Sequence, residues 1–119
     1  MVDPHIDTRS LQKGSAEMLV LSLLEGRPRH GYELSKLVEQ KSDKLLELQA
    51  ASLYPILYKL ERKGLVEGKW VEKPNERRKR YYKLTPEGKK ALRSMRKVWQ
   101  EFVNAISNIV DARHHHATS

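Results

Sequence analysis

Six apolar residues near the C-terminal end recur with a spacing that calls for a partner helix. Leu92, Met95, Trp99, Phe102, Ile106 and Ile109 follow one another at gaps of 3, 4, 3, 4 and 3, the seam of a coiled coil. Val98, Val103, Ala105 and Val110 widen the stripe. Upstream, Thr85 stands where an N-cap belongs, with Pro86 at the first helical position and Glu87 in the first turn. The pattern predicts one helix from Pro86 to about Val110, 25 residues and about 37 Å long. Such a helix needs a partner. It can fold back on the first helix of its own chain or pair with a second copy. The length of the pattern favours a two-fold pair, so the six residues are assigned to a dimer interface.

The rest of the chain is short-period. Ser15 and Glu17 open a helix, "SAEMLVLSLLE", that is apolar almost all round and therefore buried on most sides. Gly26 and Pro28 break it. "GYELSKLVEQK" places Leu34, Leu37, Val38 and the stem of Lys41 on one face of a second helix. A third helix carries Leu53, Ile56, Leu57 and Leu60 on one stripe and stops at Gly64. It also contains Pro55, which removes a donor and crowds the carbonyl four residues back. An N-cap at Ser52 resolves the conflict, because Pro55 would then occupy the third helical position, where the N–H has no partner anyway. On this wheel Pro55, Tyr58 and Arg62 lie opposite the apolar stripe, flanked by Ser52, Tyr54 and Lys59. After Gly64 the period changes. "LVEGKWVE" and "RRKRYYKL" read as two strands around the turn residues "KPNE". Arg77 to Arg80 make the hairpin tip cationic, and such a charge density stays exposed. Trp70, on the first strand, is expected to pack.

Charge narrows the function. From Lys59 to Lys97 there are fifteen Lys and Arg against five Asp and Glu, or +10, so the remainder of the +8 chain carries −2. A basic middle on a near-neutral remainder suits a polyanion. The chain has no cysteine, which excludes disulfides and Cys-based zinc sites. No apolar run is long enough to span a bilayer and no signal peptide opens the chain, so a soluble cytoplasmic protein with no membrane partner is expected. Enzyme chemistry lacks its parts: there is no Gly-rich phosphate loop, and His30 is the lone histidine within the ordered pattern. No cofactor or metal is implied. His114, His115 and His116 form a run in the tail without a held geometry.

Helix, helix, helix and basic hairpin is the plan of a winged helix-turn-helix, whose third helix enters the major groove and whose wing contacts phosphates. The expected fold is thus mainly α with a small β-hairpin. It divides into a flexible arm at 1–10, a winged-helix DNA-binding domain at 11–85, a dimerisation helix at 86–111 and a tail at 112–119. The sequence also resembles the PadR-type transcriptional regulators. The resemblance is carried by "LVLSLLEGRPRHGYEL" (Leu19 to Leu34), "SLYPILYKLERKGLV" (Ser52 to Val66) and "RRKRYYKLTPEGKKAL" (Arg77 to Leu92), in that order. A single, short final helix is similar to the compact branch of the family.

The resemblance implies a homodimeric DNA-binding regulator, usually a repressor, acting on double-stranded DNA at an inverted repeat. It implies that His30, Gly31 and Tyr32 support the second helix near DNA, that Tyr54 and Pro55 sit at the groove, and that any effector pocket lies close to the dimer interface. A flat slot between two copies at Met95, Trp99 and Phe102 would suit a hydrophobic aromatic small molecule. The candidate DNA-contacting residues are Tyr32 and Lys36 on the second helix, Ser52, Tyr54, Pro55, Tyr58 and Lys59 on the third, and Arg77, Arg78 and Lys79 on the wing. The residues alone also admit a winged helix that binds RNA or protein, although a basic wing beside a basic helix argues against protein alone.

Overall fold

Each change of hydrophobic period in the sequence coincides with a change of secondary structure. The computed structural model describes residues 15–111. The arm expected at 1–10 and the tail at 112–119, with its histidine run, lie outside the described residues. Among the described residues four helices and three strands follow in the order α1 (Ala16–Leu23), β1 (Arg29–His30), α2 (Gly31–Lys41), α3 (Ala50–Arg62), β2 (Val66–Val71), β3 (Lys79–Leu84) and α4 (Pro86–Val110).

One core joins these elements. Val20, Leu21 and Leu24 from the α1 segment meet Leu34 and Val38 of α2, Leu53, Leu57 and Leu60 of α3, Val66 and Tyr82 of the sheet, and Leu92 of α4. No residue of α1 is exposed, as its all-round apolar surface requires. The hairpin gains a third strand, giving the antiparallel order β1-β3-β2 with Arg29 opposite Tyr82 and Val66 opposite Leu84. The two-residue β1 was not visible as a period, because it exists only by pairing with β3.

Helix α3 departs from the expected start. Its N-cap is Gln49, in extended conformation, and Ser52 and Leu53 already direct their N–H groups to the Gln49 carbonyl. Pro55 is therefore the sixth helical residue, not the third, and the carbonyl deprived of a partner is that of Ala51, inside the helix. Ala51, Ser52 and Pro55 are all exposed, so water can satisfy that carbonyl. The proline is tolerated because of the face it occupies rather than its place in the first turn.

The link from α3 to α4 rests on two glycines. Gly64 turns the chain at φ 75° just past α3, the left-handed cap position that favours glycine. The Thr85 hydroxyl donates to the Gly64 carbonyl at 2.6 Å and accepts from the Gly88 N–H at 3.0 Å. Thr85 N–H donates to the Leu65 carbonyl at 3.1 Å, and a Cβ on Gly88 would stand 2.0 Å from that same oxygen. The two sequence stretches "ERKGL" and "LTPEG" are thus the two sides of one joint.

Beyond the joint α4 leaves the core. Arg96 holds Glu25 at 2.8 Å, Leu92 is 1% exposed and Met95 packs partly against the core. Leu92 is therefore spent inside its own chain, a correction to its place in the seam. Trp99, Phe102, Ile106 and Ile109 remain 41%, 54%, 43% and 76% exposed. The radius of gyration is 17.1 Å, against about 13 Å for a compact chain near 100 residues.

Candidate nucleic-acid interface

The N-terminus of α2 and the outer face of α3 meet through the absence of a side chain. His30 caps α2, its Nδ1 accepting from the Glu33 N–H at 3.3 Å. Gly31 follows, and a Cβ there would lie 3.1 Å from the Tyr54 ring, so glycine admits that ring against the start of α2. Tyr54 in turn stacks on Tyr58 one helical turn along, with centroids 6.4 Å apart. Tyr32, the next residue of α2, is largely exposed, with Lys36 Nζ 5.1 Å from its ring centroid.

The wing closes the other side. Arg78 lies 4.5 Å over the ring of Trp70, which is 55% exposed. Trp70 therefore packs under a cation on the surface, contrary to the expectation of a packed strand residue. Arg80 likewise departs from the exposed basic tip. It turns inward and grips Glu61 of α3 with both terminal nitrogens, at 2.9 and 2.7 Å. Its guanidinium fills the space beside Gly68, where a Cβ would meet it at 2.7 Å. The Glu61 carboxylate also accepts from the Gly68 N–H at 3.3 Å. One ion pair thus fixes the wing to α3, and the hydrogen bonds Arg80 donates to Glu61 raise its pKa further against the effect of burial.

Between α3 and the wing lies a cleft of about 610 Å³. It brings together Tyr32, Tyr54, Tyr58, Arg77, Arg78 and Lys79, six of the expected contact residues, with His30, Trp70, Arg80 and Tyr82 behind them and no carboxylate in the lining. Lys36, Ser52, Pro55 and Lys59 are exposed outside it. Lys59 leans toward Glu17 at 3.9 Å, a carboxylate that also holds Lys63 at 3.1 Å. Sequence reasoning missed Trp70 as a cleft residue. The available signal was its place on β2, two residues after Gly68, which puts it on the same side of the strand.

The electrostatics of the cleft are one-sided. Burial lowers the His30 pKa, and the cation of Lys79 lowers it further, against a smaller opposing pull from Glu33. Burial pushes the Glu33 carboxyl up, but hydrogen bonds from Arg27 and Arg29 outweigh it and hold the group below its usual range. No His, Asp and Glu group that could hold a metal occurs among the described residues.

Residues 20–94 match the model of the transcriptional regulator PadR-like family. The chain belongs to that family. It is a family of transcriptional regulators rather than enzymes, and the winged-helix fold agrees with it. A transcriptional regulator from Clostridium thermocellum superposes with a TM-score of 0.81 at 29% identity, covering 89% of this chain and all of that one. A PadR family regulator from Eggerthella lenta gives 0.76 at 29% identity, over 87% and 88%. Another, from Clostridium difficile, gives 0.68 at 30% identity, over 80% and 96%. A protein of Lysinibacillus sphaericus is 26% identical over 99 residues, covering 83% of this chain and 87% of that one.

Proposed function

We propose that this PadR-like regulator is a cytoplasmic homodimer that binds an inverted repeat in double-stranded DNA and acts as a repressor relieved by a hydrophobic aromatic effector. The observation that carries the DNA reading is the cleft. Three tyrosines of α2 and α3 face three cations of the wing across a concavity without a carboxylate, which suits a sugar-phosphate strand passing between a helix in the major groove and a wing on the backbone. Ser52, Pro55, Lys36 and Lys59 flank that path, the first two on the exposed face of α3. The dimer is supported by the bare apolar end of α4. In a two-fold dimer the α3 helices would lie about 34–36 Å apart. The effector reading rests on Trp99 and Phe102, whose rings lie 5.9 Å apart on that end, beside Met95. No helix among the described residues is long and apolar enough to cross a membrane.

The test begins with selection of the operator from random duplexes. Binding is then measured by anisotropy across a salt series on operator and scrambled DNA. Arg78→Ala is expected to weaken both duplexes alike and to flatten the log–log salt slope by roughly 0.9 for each phosphate no longer neutralised. Tyr58→Ala is expected to lower operator preference by about 1–3 kcal/mol while keeping the slope. Equal losses on both duplexes with one common slope change would overturn this division of roles. No loss from either would remove the cleft from the interface.

A further inference from the structure

The wing sheet has two faces, and the cleft uses one. Side chains alternate along a strand. Gly68 and Trp70 share the α3 side with Arg80 and Tyr82, their partners in the ladder. Glu67, Lys69 and Val71 therefore share the opposite side with Tyr81 and Lys83. With Arg27, Pro28 and Lys73 they line a second concavity of about 440 Å³. Four cations stand there against one acid. Arg27 is held by Glu33, but Lys69, Lys73 and Lys83 have no ion pair within 4.0 Å among the described residues. Lys73 Nζ lies 5.7 Å from the Tyr81 ring centroid, so the aromatic floor holds a cation over the hollow.

This surface is continuous with the cleft. Lys73 and Lys79 flank the wing loop; Lys79, opposite Val71 in the ladder, shares the outer side with Tyr81 and Lys83 and at the strand end also lines the cleft. Cations thus run from one face of the wing to the other.

We propose that the outer face of the wing is a second duplex-DNA surface, taking the phosphate backbone that flanks each half-site through Lys69, Lys73 and Lys83. The inference rests on the DNA reading above. Because α3 lies on the other side of the sheet, the outer face looks away from the half-site, along the flanking duplex. A straight duplex leaving the wing tip would meet the tip alone. Reaching Lys69 and Lys83, farther up the strands, requires the flank to bend toward the protein, and such bending depends on the flanking sequence.

The test uses the full chain and operator duplexes carrying flanks from zero to roughly one helical turn, dye-labelled at both ends. Affinity is expected to rise about five-fold or more with flank length, with the salt slope steepening by roughly 0.9 for each additional phosphate neutralised. Energy transfer between the ends of the long duplex should increase on binding. Lys69→Ala/Lys73→Ala/Lys83→Ala should abolish both gains and bind the flank-free operator like the parent. Should that variant fail to fold, Lys73→Glu alone, on the wing loop, should reverse the flank gain. Constant affinity and unbent DNA in the parent protein would overturn the inference and leave operator binding intact. A triple variant that keeps the flank gain would overturn it equally. Absence of binding to any selected duplex would instead sink the DNA reading itself.

Discussion

Gly88→Ala sets helix propensity against packing, and the two predict opposite signs. Gly88 lies in the first turn of α4, where alanine is better than glycine by about 1 kcal/mol on propensity alone. The added methyl, however, would lie 2.0 Å from the Leu65 carbonyl oxygen and 3.0 Å from its carbon. Reaching an ordinary separation of 3.4 Å requires 1.4 Å more, and the obstacle is backbone rather than a flexible side-chain end. Overpacking of this kind costs about 1–3 kcal/mol. Moving the Leu65 carbonyl also strains its bond from the Thr85 N–H, 3.1 Å long, worth about 0.5–1.5 kcal/mol. The net expectation is a loss of about 1–3 kcal/mol. For a domain of this size that lowers Tm by about 4–8 °C per kcal/mol. Circular dichroism melts of both proteins at one protomer concentration measure it, because the proposed subunit association would make Tm concentration-dependent. A Tm equal to or above that of the parent would refute the packing argument and leave propensity in charge.

Phe102→Glu with Ile106→Glu should give monomer or aggregate by light scattering at micromolar concentration; a well-folded dimer would remove the seam. Planar hydrophobic compounds should quench tryptophan emission saturably, with the effect lost in Trp99→Ala and kept in Trp70→Phe. No saturable quenching across a diverse panel would leave Trp99 a simple interface residue. His30 should make stability depend on pH. Its Nδ1 must stay unprotonated to accept from the Glu33 N–H, and its folded pKa is lowered by burial and then by Lys79, with Lys73 and Arg27 adding and Glu33 opposing. The unfolded chain then binds the proton more readily. The cap is fully stabilising above the ordinary imidazole pKa of about 6.5 and is lost as pH falls below it. Urea melts from pH 5 to 8 on the parent and His30→Asn, an N-cap that does not titrate, should diverge only below that value. Parallel curves would assign the cap no such role.

What the sequence made legible was whatever depends on local spacing. The α4 start needed only Thr85, Pro86 and Glu87, and the observed cap accepts from Gly88 N–H as the pattern required. The stripe of α3 needed only Leu53, Ile56, Leu57 and Leu60; the three leucines are fully buried and Ile56 packs partly against the core. The failures share another cause: each depends on what a residue meets from elsewhere in the chain. Ser52 looked the better cap, yet Gln49 starts α3 with no side-chain cap bond, and the exposed face leaves Pro55 tolerable two turns in. Arg80 read as one of four tip cations, but strand alternation turns it from the tip toward Glu61, nineteen residues away. Leu92 fitted the heptad as well as Phe102 does. What separates them is where the α1 segment ends. Glu25, just past that segment, holds Arg96, and beyond this point Trp99 and Phe102 are left exposed among the described residues. The exposed apolar stretch of α4 thus begins where α1 runs out, a boundary set by the length of α1 and not by any break in the spacing of α4.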